Sequence, residues 1–128
     1  MNKMVIKGSL VDIQGTLLLS DFGYSLNQKL YDAMIEAMNE GAKIYIYSWT
    51  PHQMRGLLKQ FGVDVEKFTF IPKVSLSNYQ IFVTGIVVDN ENPAQNYDAS
   101  HILPWGENFD FINQRQIPSN FASAKVME

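Results

Sequence analysis

Apolar residues cluster along the chain in short runs that alternate between two periods. Met4 to Ile13 is a largely apolar run, with Val5, Ile6, Leu10, Val11 and Ile13 giving it the character of a buried strand that stops at the turn-forming pair Gln14-Gly15. A helix is predicted next, capped by Ser25 or Asn27 and running to Glu40. Its stripe is Leu30, Ala33, Met34, Ala37 and Met38, one face at the helical repeat, and Gly41 stands where a left-handed C-terminal cap belongs. Ala42 to Ser48 is rich in β-branched and aromatic residues and short, which suits a central strand. Thr50-Pro51 then opens a second helix that buries Met54, Leu57, Leu58 and Phe61 and ends at Gly62. Further strands are predicted at Phe68 to Ile71 and Gly85 to Asp89, with a fifth beginning at Ile102-Leu103 before Pro104. Leu76 to Phe82 reads equally as a short helix or a strand extension.

This alternation implies an α/β fold, a mainly parallel sheet covered by helices on both faces. At 128 residues the chain is expected to form one domain, spanning residues 1–106. From residue 107 to 128 the periodicity fails. This tail is expected to lay Phe109, Phe111 and Phe121 on the domain or to be partly disordered.

Composition narrows the partners. Ten basic and thirteen acidic residues give a formal charge of -3 with no basic run, so a nucleic-acid partner is not expected. The absence of cysteine excludes disulfides, thiolate metal sites and cysteine nucleophiles. No segment reaches the roughly 18 apolar residues of a membrane span, and the N-terminus lacks a signal-peptide pattern. A cytoplasmic protein is the expectation.

Ligands of an open parallel sheet bind beyond the carboxyl ends of its strands. Those ends carry Asp12, Ser48, Lys73 and Asp89: an acid, a hydroxyl, an amine and a second acid in chain order. Each alone has an ordinary role as a cap, a turn former or a solvated lysine. Their shared edge is what points to chemistry.

The run Asp12-Ile13-Gln14-Gly15-Thr16-Leu17 resembles the first signature of the haloacid dehalogenase-like superfamily. Ser48 falls at that family's second motif and Lys73 at its third, and the segment containing Asp89 resembles the fourth. The resemblance covers residues 4 to 106. It implies a three-layer sandwich without a cap domain, and a phosphohydrolase that forms an aspartyl-phosphate on Asp12. Mg²⁺ would be held by Asp12, the backbone carbonyl of Gln14 and Asp89. Ser48 would donate to a phosphoryl oxygen and Lys73 would offset anionic charge. Gly15 would let the backbone approach the phosphate, Thr16 would support it, and Trp49 would flank the substrate.

Two positions depart from the family pattern. Gln14 stands where a proton-transferring Asp is usual, and an amide cannot transfer a proton at neutral pH. Asn90 stands where a second acid often follows Asp89; Glu91 is the nearest substitute and Asp98 is too far along for the usual spacing, so weak metal binding is expected. The alternative is a catalytically inactive binding or scaffold subunit. Without a cap, the resemblance implies a phosphoprotein, a polynucleotide end, or a small molecule enclosed by a neighbouring subunit as substrate. His52 is expected to be an exposed first-turn residue, and His101 lacks partners at metal-ligand spacing.

Overall fold

The structure, a computed structural model, describes residues 2–19, 23–76, 79–83, 87–89 and 102–104. Among the described residues, nine strands and two substantial helices give an α/β fold whose sheets are mainly parallel. In chain order the strands are β1 (Asn2–Ile6), β2 (Ser9–Asp12), β3 (Leu18–Leu19), β4 (Ser25–Leu26), β5 (Ile44–Ser48), β6 (Thr69–Pro72), β7 (Tyr79–Val83), β8 (Val87–Val88) and β9 (Ile102–Pro104). The helices are α1 (Gln28–Asn39), α2 (Pro51–Gln60) and the four-residue α3 (Lys73–Leu76), with a 3₁₀ turn at Val65–Lys67. The expected tail and the residues Asn90, Glu91, Asp98 and His101 lie outside the described residues.

The sequence predicts one strand from Met4 to Ile13, and here the chain departs from it. The run is broken at Lys7-Gly8 into β1, which pairs with β7, and β2, which lies between β5 and β8. The cause is a close backbone approach. Ser9 N–H donates to the Lys43 carbonyl at 2.9 Å, and a Cβ at Gly8 would meet that same oxygen at 2.4 Å. Only glycine fits there. Hydrophobic pattern cannot reveal such a contact, because both sides of the break are apolar.

The pairing nonetheless keeps one register across the break. Asn2 pairs with Tyr79 and Leu10 with Val87, so both halves meet residues 77 positions later. The ambiguous segment 76–82 resolves into both alternatives, the end of α3 followed by β7. The third strand is displaced by one residue, so that Pro72 pairs with Ser48. Pro104, read as a stop, is the last residue of β9 and pairs with Val83.

Strands β6, β5, β2 and β8 form a four-stranded parallel sheet in that order. Alternation along the strands sends Val11, Ile44, Ile46 and Val88 to one face, where they form a single buried cluster with Leu30, Met34 and Ala37 of α1 and Met54 and Leu58 of α2. Leu10, Tyr47 and Val87 point to the opposite face and are also fully buried. Helix α1 is capped as expected, with Asn27 Oδ1 accepting from Leu30 N–H at 3.3 Å; α2 starts where expected with Pro51 at its first position, but the Thr50 side chain makes no cap bond. Phe61, expected in the second stripe, is exposed. No helix among the described residues is long and apolar enough to cross a membrane.

Candidate active site

Because the four strands are parallel, their carboxyl ends share one edge, and Asp12, Ser48, Pro72 and Asp89 arrive there together. Asp12 ends β2 and is 5% exposed, Lys73 opens α3 at 6%, and Asp89 follows β8 at 3%. Lys73 Nζ donates to Asp12 Oδ1 at 2.7 Å and lies 3.5 Å from Asp89 Oδ2. One buried ammonium therefore lies against two buried carboxylates. The expected meeting of Asp12 with Asp89 is a direct consequence of the register: Val11 pairs with Val88, and the next residue on each strand is an acid.

The chain turns sharply after Asp12. Leu17 N–H donates to the Asp12 carbonyl at 3.3 Å and Leu18 N–H to the Ile13 carbonyl at 2.8 Å, with Gly15 at a φ of 80°, a backbone conformation that favours glycine. The turn brings Thr16 Oγ1 within 3.2 Å of Asp12 Oδ2, to which it donates. Asn27 secures the turn from the helix side. Its backbone N–H donates to the Leu17 carbonyl at 2.8 Å and its side-chain amide to the Thr16 carbonyl at 3.2 Å. The residue that caps α1 thus also holds the loop that carries Thr16.

Tyr47 is a member of the cluster that sequence reasoning missed. It pairs with Asp12 across the β2–β5 ladder, is fully buried, and donates its hydroxyl to Asp89 Oδ2. Its ring lies under Lys73 Nζ at 4.5 Å from the ring centre. The available signal was a tyrosine one place before the strand end, since a buried phenol needs a polar partner.

The remaining expected site residues lie around this cluster. Ser48, one residue beyond Tyr47, is 2% exposed and its Oγ accepts from Thr50 N–H at 3.2 Å. The side chain of Thr50 makes no cap bond, so Ser48 serves the entrance to α2 while keeping a hydroxyl proton to donate. Trp49 is 46% exposed. Gln14 is exposed and its amide donates to the Tyr24 hydroxyl at 3.2 Å. His52 is exposed, as expected.

Burial, followed by the neighbouring charge of Asp89, pushes the Asp12 carboxyl up to about 7, while Lys73 and the Thr16 hydroxyl pull it back down. Among the described residues, the cluster sets two acids against one ammonium. Among the described residues no group of three or more His, Cys, Asp or Glu could hold a metal. The two carboxylates supply hard oxygen donors, the ligand type that Mg²⁺ takes in preference to nitrogen or sulfur. No family model, curated protein or solved structure matches the chain.

Proposed function

We propose that this chain is a capless, haloacid dehalogenase-like domain of the phosphohydrolase type, a three-layer sandwich that transfers a phosphoryl group to Asp12. The observation that carries the reading is the buried Asp12–Lys73–Asp89 cluster at the carboxyl edge of a parallel sheet. A purely structural ion pair would satisfy Lys73 with one acid. A second acid beside it raises the affinity of the cleft for a cation and for a group the cation accompanies.

Asp12 and Asp89, with the Gln14 carbonyl, would hold Mg²⁺. When bound, the ion would neutralise charge between carboxylate and phosphate and polarise the phosphoryl group. Lys73 orients the Asp12 carboxylate and pulls it back toward its ionised form, and Thr16 fixes its second oxygen. An Asp12 oxygen bonds to phosphorus as the ester oxygen departs, and that oxygen takes its proton from water. Water then cleaves the acyl-phosphate, returning Asp12 and releasing inorganic phosphate. Ser48 donates to a phosphoryl oxygen, Gly15 offers close backbone approach, and Trp49 lines the open side toward the substrate body.

Turnover is slow in this reading because Gln14 cannot supply or remove the proton. That same residue favours a second reading, a binding or scaffold subunit that keeps the cluster without turnover. The two separate on one assay. With p-nitrophenyl phosphate and Mg²⁺, the enzyme shows slow release of nitrophenolate that Asp12→Asn abolishes. A wild-type rate equal to that of Asp12→Asn supports the scaffold.

A further inference from the structure

We infer that Tyr47 is a positioning residue that sets Asp89 and Lys73 in place with two different parts of one side chain, the hydroxyl for the acid and the ring face for the ammonium. The inference rests on the phosphoryl-transfer reading of Asp12 for its catalytic consequence, while its structural content stands on Tyr47 alone.

The geometry separates this role from simple packing. A buried tyrosine that only fills space can give its hydroxyl to any carbonyl within reach. Tyr47 gives it to Asp89 Oδ2, the same oxygen that faces Lys73 Nζ at 3.5 Å. The face of its ring carries that same Nζ at 4.5 Å. In the ladder it stands directly opposite Asp12, the other partner of Lys73. Every charged member of the cluster is therefore one contact from Tyr47. A phenol donating to a carboxylate orients it through a charge-assisted bond. A ring face attracts an ammonium without neutralising it, so Lys73 remains available to both acids.

The two contacts can be removed in turn. Tyr47→Phe keeps the ring and its volume but loses the donor, and Tyr47→Leu loses both. In metal-free crystal structures, Tyr47→Phe is expected to show the Asp89 carboxylate turned from its wild-type orientation with the Lys73–Asp12 pair retained. Tyr47→Leu is expected to displace Lys73 as well. With Mg²⁺ and p-nitrophenyl phosphate, Tyr47→Phe is expected to lower kcat by about 10- to 100-fold with KM within about threefold, the signature of a misplaced charge rather than lost binding. The wild-type protein should also show a slowly exchanging Tyr47 hydroxyl proton by NMR, which checks the contact even if a variant fails to fold.

An unmoved Asp89 in Tyr47→Phe, or the absence of that proton in the wild type, would overturn the inference. So would an active wild type whose kcat survives Tyr47→Phe within about twofold. If the wild type shows no turnover at all, the phosphohydrolase reading fails by itself, and the Asp89 orientation still decides the role of Tyr47.

Discussion

Position 14 decides how an acyl-phosphate at Asp12 would be discharged. The Gln14 amide is turned to the Tyr24 hydroxyl, and it cannot act as a general acid or base at neutral pH. Gln14→Asp is therefore expected to raise steady-state phosphate release by about 10²- to 10⁴-fold, the usual worth of general acid–base help. The check is the rate with p-nitrophenyl phosphate beside unaltered Mg²⁺ affinity. An increase would identify the missing carboxyl as the defect, and no increase would place it elsewhere. At this scale the acids and the lysine were legible, because residues at the ends of parallel strands converge whatever lies between them. Tyr47 was not, since a tyrosine inside an apolar strand looks like core until the residue facing its hydroxyl is known.

At the scale of elements, two junctions govern the site. Gly8 lies where the backbone passes Lys43, and Gly8→Ala would drive a methyl group into the Lys43 carbonyl. A loss of about 1–3 kcal/mol is expected, read from urea unfolding, because the carbonyl is backbone and cannot swing away. Asn27 joins α1 to the turn bearing Thr16 through both its cap bond and its amide. Asn27→Ala is expected to cost about 1–2 kcal/mol and to weaken phosphoryl transfer, whereas an ordinary cap loss would leave activity untouched. Helix starts and stripes were readable from local chemistry, as Leu30, Met34, Met54 and Leu58 show. The break between β1 and β2 was not, because its cause is a residue 35 positions away that touches Gly8 only in the folded chain.

For the molecule as a whole, the Asp12 cluster links stability to pH. In the folded protein Asp12 holds its proton up to about 7, against 3.8 for an ordinary aspartate. A carboxyl raised in this way adds stability that is complete below the lower value and fades as pH rises through the upper one. In metal-free protein, the unfolding free energy of the wild type relative to Asp12→Asn is expected to fall from about pH 4 to about pH 7 and then level off. Millimolar Mg²⁺ should flatten that slope, and a slope of opposite sign would show that Lys73 outweighs burial and Asp89. The parallel architecture was legible from the alternation of strands and helices. The division of the sheets was not, because the close approach at Gly8 that marks the break leaves no trace in the hydrophobic pattern.

The shared 77-residue register has a consequence for synthesis. Asp12 and Asp89 are brought together by the β2–β8 pairing, whose separation exceeds half the 128-residue chain, so it is a long-range contact that forms only once a long loop closes. A nascent chain released only as far as β6 can already pair β2 with β5, yet it leaves one flank of β2 without its strand. Until β8 docks, that flank offers open hydrogen-bonding groups to other strands, and Asp89 has not joined Asp12 and Lys73. If Asp12 is the phosphoryl acceptor, its partner acid is withheld from every unfinished copy, and a chain stalled before Asp89 is expected to be prone to aggregate rather than to show stray activity.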